Sequence, residues 1–364
     1  MKKLNRKKNK VIIWVTSSLI VLFCLGALAV NYTLSKINIV DRENISQLDV
    51  DPSLDLTVPK NKDDMATTGE NAIVNQDTGK KTKISNKDIS NKLDEADRGI
   101  ALNTTSGGVK YNDEVINILL VGVDRGSSSN YWPRSDSMII ASLNKINKRV
   151  NLISLSRASY VAIPGHENTR LNAAYAYGEP NLLIETIELN YKIRIDKFIT
   201  IDFEGFKKLI DIFHGVEIEL TQTEFDFLKD KLAAKGLDVS KGAGTYLLNG
   251  DLALEYARLR SIDTDRNRTI RQRKVLKAIR ERVKTISALQ TAELINTILP
   301  LVTTDITKKE LVLQTANLAK YMNWPLKEAT VPLKSGNLVL VNGSEVLILD
   351  WNDVRSDLIA LLYS

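Results

Sequence analysis

The sequence predicts an α/β fold in three layers, preceded by one transmembrane helix. Three observations carry that expectation. Apolar runs of strand length alternate with helical patterns from Val115 onward, an unbroken apolar or small-residue run fills Val11 to Val30, and a long polar stretch separates the two. Alternation of this kind favours helices layered on a sheet.

Residues 1–10 form a basic tail, expected to be cytoplasmic. Lys2, Lys3, Arg6, Lys7, Lys8 and Lys10 lie in it with no acid, and the rest of the 50 basic residues balance the 44 acidic ones. The basic pI therefore belongs to the tail, and no nucleic-acid partner is expected. The twenty residues from Val11 to Val30 match a hydrocarbon core of roughly 30 Å at 1.5 Å per residue. The basic flank before this anchor orients the N-terminus inward and places the rest outside, in a single-pass topology at the cell membrane. Ala27-Leu28-Ala29 also resembles a signal-peptidase site, so cleavage stays an alternative.

The single cysteine, Cys24, falls within this run, which leaves the exported part without disulfide or thiolate chemistry. His166 and His214 show no metal-ligand spacing and supply no serine-hydrolase triad. Residues 31–112 turn to Asn, Asp, Lys, Ser and Thr, with no aromatic between Tyr32 and Tyr111. The expectation there is an extracytoplasmic linker or stalk rather than a packed domain.

The domain proper is expected over residues 113–364, with a C-terminal helical and strand extension. Val115 to Val123 predicts a strand buried on both faces. Met138 to Leu143 and Val150 to Leu155 predict strands joined by a turn at Asn144 to Lys148. Arg170 to Tyr177, Pro180 to Leu189 and Phe203 to Phe213 predict helices, with strands at Phe198 to Ile201 and Val216 to Leu220. Asn249, Gly250 and Asp251 open a short helix. Later come helices at Thr291 to Ile298 and Lys308 to Ala319, a strand at Leu338 to Val341, and a closing helix at Asp350 to Leu362.

The segment Glu255 to Lys274 concentrates chemistry. It contains Arg258, Arg260, Arg266, Arg268, Arg271 and Arg273, with Asp263 and Asp265 between them. Leu276, Ile279, Val283 and Ile286 form a helical stripe whose backward extension meets Gln272 and Arg268, and buried polar groups need partners. Convergent guanidinium forks suit a diphosphate; an internal salt-bridge network with the two aspartates is the alternative. Asp124 and Arg157 each follow a strand closely, where ligands bind in open α/β sheets. Asp124, Asp136 and a diphosphate could together hold Mg²⁺ or Mn²⁺. Alternatively, Asp124 caps a turn and Asp136 pairs with Arg134.

Tyr256-Ala257-Arg258-Leu259-Arg260, Asp263-Thr264-Asp265, Arg268 and Arg271-Gln272 resemble a signature of the LytR-CpsA-Psr family of bacterial envelope proteins. Asn117 to Arg125, Arg134 to Met138, Ser154 to Arg157 and Leu171 to Tyr175 agree with it in order. The resemblance implies an α/β/α domain with a central mixed sheet and a hydrophobic pocket for a polyprenyl chain, its mouth lined by arginines. It also implies a membrane-anchored phosphotransferase that moves a glycopolymer of the wall teichoic acid or capsular type from undecaprenyl diphosphate to peptidoglycan. Carried over by residue, Asp124 and Asp136 would hold the metal, while Arg134, Arg157, Arg170, Arg258, Arg260, Arg268, Arg271 and Gln272 would hold the diphosphate. Asp124, Asp136, Arg157, Arg258 and Arg268 would serve catalysis.

The sequence departs from the family at three points. Ala158 stands where the family has Asp, Arg170 where it has Lys, and Asn267 where it has Gly. Ala158 removes a carboxylate beside the expected reaction centre. Either Asp124 carries that part, or the chain binds lipid-linked glycan with little turnover; hydrolysis of the polyprenyl diphosphate is a third outcome.

Overall fold

The computed structural model describes residues 35, 38–40, 71–75, 80–124, 133–285, 287, 293, 296–310, 320–334 and 337–364. The expected tail and the anchor at Val11 to Val30 lie outside the described residues, as do Ile286, half of the helix expected at Thr291 to Ile298 and most of that expected at Lys308 to Ala319. Among the described residues no helix is long and apolar enough to cross a membrane.

The strands are β1 (Asn38–Ile39), β2 (Ala72–Val74), β3 (Lys81–Lys83), β4 (Val115–Asp124), β5 (Arg134–Asn144), β6 (Arg149–Leu155), β7 (Tyr160–Val161) and β8 (Thr169–Arg170). They continue as β9 (Lys197–Asp202), β10 (Val216–Leu220), β11 (Gly244–Leu248), β12 (Val302–Thr304), β13 (Leu326–Val331), β14 (Asn337–Val341) and β15 (Ser344–Ile348). The helices are α1 (Asn86–Thr105), α2 (Leu171–Tyr191), α3 (Phe203–Ile212), α4 (Gln222–Ala234), α5 (Gly250–Arg258), α6 (Asp265–Lys284) and α7 (Trp351–Tyr363).

A seven-stranded mixed sheet in the order β1-β12-β9-β4-β5-β6-β13 forms the centre, as the α/β expectation requires. β4 runs antiparallel to β5 and parallel to β9, while β6 runs antiparallel to β5 and parallel to β13. The C-terminal ends of β4, β6, β9 and β13 therefore meet the start of β5 at one sheet edge. That edge carries Asp124, Arg134, Asp136 and Asp202, with Arg157 just beyond β6.

β4 corrects the expectation of a strand buried on both faces. Its residues alternate between buried and half-buried along the whole strand. Successive side chains point to opposite faces, so Leu119, Val121 and Val123 join a core with α1, α2 and α7. Leu120 and Gly122 face a cavity on the other side. A second core joins α3, β10, α4, β11, α5 and the Val275 turn of α6.

The linker expectation fails from residue 71 onward. Ile89, Leu93, Ala96 and Ile100 form an inward stripe on α1, which Ser85 caps by accepting from the Asp88 amide. Spacings of three and four put them on one face, and their burial anchors the helix despite its polar composition. β2 and β3 add to β14 and β15 to make a four-stranded antiparallel sheet. Its β14–β15 turn is Asn342-Gly343, both at positive φ, a tight two-residue hairpin geometry. The two helices expected at Arg170 to Tyr177 and Pro180 to Leu189 form one kinked element, α2, broken at Gly178 and Glu179.

Candidate active site: an apolar cavity with an arginine mouth

Between the sheet and helices α3, α5 and α6 lies a cavity of about 990 Å³. Its depth is apolar: Leu120, Ile139 and Ile199 from the sheet face Phe206, Leu254 and Leu276 from the helices. Gly122 keeps one sheet position free of a side chain, since a Cβ there would stand 3.2 Å from the Ser137 Cβ. Leu276 and Ile279 of the expected stripe are half-buried; Leu276 faces the cavity.

The mouth is polar. Asp124, Arg134, Asp136, Arg157, Arg170, Arg258, Arg260, Arg268 and Gln272 all line it, so the structure brings together every expected site residue but one. Arg271 lies elsewhere. Its guanidinium donates to both Asp263 carboxylate oxygens at 2.8 and 2.6 Å, to Glu224 at 3.4 Å and to the Leu259 carbonyl at 2.6 Å. These partners outweigh desolvation and raise its pKa. The salt-bridge alternative thus holds for Arg271, which locks α6 to the turn before it and to the start of α4, away from the diphosphate position assigned to it.

Local register places the acids. Gly122 pairs with Ser137 and Val123 with Ser135, so Asp136 is the extra residue of a β-bulge. A bulge re-aims its side chain and frees its backbone from the ladder. The Asp136 carbonyl accepts from Arg268 at 3.1 Å and from Gln272 at 3.4 Å, and the Ser137 hydroxyl donates to Gln272 at 3.1 Å. Asp124 ends β4 and lies 3.5 Å from Arg258, which also stacks over Phe203 at 4.4 Å.

Around these the charges crowd. Arg157 pairs with Asp136 at 3.3 Å and Asp265 at 3.2 Å, and Asp265 also meets Arg268 at 3.1 Å. Burial works against the Arg157 charge, but Asp265 and Asp136 outweigh it and hold its pKa up. Burial pulls Arg268 down despite Asp265. Arg170 is also pulled down, first by burial and then by its neighbours Arg134 and Arg157. Among the described residues, Arg134, Arg170 and Arg260 have no carboxylate within 4.0 Å. A cluster of repelling, partly desolvated cations is stabilised by an anion with several oxygens.

Asp124 and Asp136 offer hard oxygen ligands at this mouth, each about a quarter exposed. Among the described residues no group of three or more His, Cys, Asp or Glu side chains is close enough together to hold a metal ion. A pair of carboxylates that leaves other positions to phosphate and water fits Mg²⁺. Neither histidine competes for that part: His166 stacks on Tyr177 at 4.3 Å, and His214 occupies the positive-φ turn after α3.

Sequence reasoning missed Lys81, Asn172, Ser344 and Glu345, which also line the mouth. Asn342-Gly343 was the available signal, since that pair between apolar runs marks a hairpin and would have placed Glu345 on its returning strand.

The model of the LytR_cpsA_psr family matches residues 71–357. The chain is 33% identical over 199 residues to polyisoprenyl-teichoic acid--peptidoglycan teichoic acid transferase TagV of Bacillus subtilis (strain 168), covering 53% of this chain and 50% of TagV. The matched stretch spans about half to two thirds of the curated relatives' own length. A structure of TagT bound to LIIa-WTA superposes with a TM-score of 0.56 at 23% identity, over 70% of this chain and 94% of that one. TagT with bound octaprenyl pyrophosphate lipid gives a TM-score of 0.53 at 22% identity, with the same coverage of both chains. With the family model covering residues 71–357, well over half of the chain, and with the central mixed sheet shared, the chain belongs to the LytR-CpsA-Psr family.

Proposed function

We propose that this chain transfers a phosphate-linked glycopolymer, of the wall teichoic acid or capsular type, from an undecaprenyl diphosphate donor to peptidoglycan. The observation that carries the reading is the junction of two environments in one cavity, an apolar depth that suits a polyprenyl chain and a guanidinium mouth that suits its diphosphate. The named activity of TagV and the lipid bound by TagT support the same assignment.

In this reading Arg134, Arg157, Arg170, Arg258, Arg260 and Arg268 bind and neutralise the diphosphate, and Gln272 helps orient it. The bulge at Asp136 holds Arg268 and Gln272 in register before substrate arrives, so little reorganisation is needed as charge develops. Asp124 and Asp136 would hold Mg²⁺ or Mn²⁺, which when bound would draw charge from the phosphate oxygens. Phosphoryl transfer depends mainly on positioning and charge stabilisation, so no covalent nucleophile is required.

Val11 to Val30, with its basic flank, would anchor the domain at the outer face of the cell membrane, where a lipid-linked donor resides. The test is transfer by the full-length chain in detergent from a polyprenyl diphosphate-linked glycan to peptidoglycan. Attached polymer supports the reading. Donor binding without transfer would favour the lipid-linked-glycan binding role that Ala158 raises, and release of glycan phosphate to water would favour hydrolysis.

A further inference from the structure

Six acidic side chains line the cavity: Asp124, Asp136, Asp202, Asp263, Asp265 and Glu345. Five are committed. Asp124 meets Arg258, Asp136 meets Arg157, Asp265 meets Arg157 and Arg268, and Asp263 takes two bonds from Arg271. Asp202 accepts from the Gly205 amide at 2.8 Å and caps α3. Glu345 has no ion pair within 4.0 Å among the described residues. A carboxylate oxygen that already accepts from a guanidinium or an amide has that lone pair occupied. Glu345 is thus the lining acid whose lone pairs are available to take a proton.

Its placement is built rather than incidental. Glu345 sits on the returning strand of the Asn342-Gly343 hairpin, and the Asn342 amide donates to the Asn71 side chain at 2.9 Å. Two residues on, the Leu347 amide donates to the Ala158 carbonyl at 2.8 Å, and Leu347 bridges in parallel to Ser159. Residues two apart share a face of a strand, so this strap carries Glu345 to the Ala158 side of the mouth. Ala158 and Glu345 line both the main cavity and a small adjoining hollow with Asp265. Ala158 presents only a methyl group to this hollow, which Glu345 also lines.

We propose that Glu345 is the general base that takes the proton from the acceptor hydroxyl, a role that rests on the transferase reading above. The acceptor oxygen forms the new bond to the glycan-bearing phosphorus. The bond from that phosphorus to the bridging oxygen breaks, and polyprenyl phosphate leaves with the electron pair. The hydroxyl proton passes to Glu345 and then to water. The acceptor enters over the rim made by β3 and the β14–β15 hairpin, opposite the helices that wall the apolar depth. Glu345 lies within electrostatic reach of Arg157 beyond β6 and Arg170 on β8, and it shares the cavity or the adjoining hollow with Asp265 and Arg266 at the start of α6 and Lys81 on β3. Arg266 is held by the Pro332 and Leu333 carbonyls.

The experiment compares the full-length chain with Glu345→Gln and Glu345→Asp, using a polyprenyl diphosphate-linked glycan and peptidoglycan oligomers, with thermal melting as the control for folding. Glu345→Gln is expected to lower kcat by roughly 10²–10³-fold. Donor affinity should be unchanged, and the fall in rate on the acid side of the wild-type pH profile should vanish. Glu345→Asp should keep part of the rate and the acid limb. Ala158→Asp in the Gln background should restore some turnover, since it returns a carboxylate to the same hollow. Wild-type kcat with an intact acid limb in Glu345→Gln would overturn the assignment while leaving the transferase reading standing. Equal losses of donor affinity and kcat with the acid limb intact would reduce Glu345 to a counter-charge and overturn it as well. A wild-type chain that transfers nothing would overturn the reading beneath it.

Discussion

The end of helix α5, the turn after it and helix α6 hold arginines with two different fates. Arg258, Arg260 and Arg268 face the cavity mouth, whereas Arg266, Arg271 and Arg273 are spent on the fold. Arg273 donates to the Ser154 and Thr330 hydroxyls at 2.6 and 2.8 Å, tying α6 to the sheet at β6 and β13. Residue type is the same in both groups. The difference is whether carbonyls, hydroxyls and carboxylates of the chain already complete the guanidinium fork or leave it open for a ligand. An arginine-rich signature therefore mixes binding with architecture, and only the partners separate them.

The largest expected effect breaks the architectural group. Arg271→Ala leaves Glu224, almost fully buried, and both oxygens of Asp263 without their cation, and removing one partner of a buried pair costs about 3–5 kcal/mol. Chemical denaturation should show that loss. An Arg271→Ala chain of wild-type stability and impaired donor binding would move Arg271 back into the site.

Next comes the mouth. Arg258 is half exposed and packs on Phe203, so Arg258→Ala should spare the fold and remove about 2–4 kcal/mol of transition-state stabilisation. Single-turnover transfer rates beside melting curves would show this, and a large drop in melting temperature at full activity would erase the contrast between the two groups. Arg268→Ala should combine both signatures, because Arg268 is buried against Asp265 and also lines the cavity.

A smaller effect sharpens the metal question within the mouth. Excess chelator should suppress transfer and added Mg²⁺ should restore it, and Asp136→Asn should raise the Mg²⁺ concentration needed for half-maximal rate. Transfer indifferent to chelator would return both aspartates to partnering arginines alone.

The sequence made the mouth legible because its residues sit in compact local runs: strand ends at Asp124 and Arg157, and helix phase for Arg268 and Gln272. Three things were less accessible. Arg271 and Arg268 lie three residues apart near the same inward side of α6, and helical period cannot say which meets the cavity and which meets Glu224 on another helix. The Asp136 bulge is a matter of register between β4 and β5, set by pairing at a distance. Residues 71–112 were hidden by polar composition, although Ile89, Leu93, Ala96 and Ile100 kept helical spacing and Ser85 stood at the cap position. Composition averaged over residues 31–112 obscured one apolar residue per turn.

The most direct test of the cavity as a two-part site is equilibrium binding of three ligands sharing one polyprenyl chain: the diphosphate, the monophosphate and the alcohol. The account predicts affinity falling in that order for the wild-type chain. It also predicts that Arg170→Ala weakens the diphosphate most and the alcohol hardly at all, because Arg170 is a mouth cation without a carboxylate of its own within 4.0 Å among the described residues. Equal affinities for all three ligands, or an Arg170→Ala chain that discriminates among them as the wild type does, would contradict the assignment of the guanidinium mouth to the diphosphate.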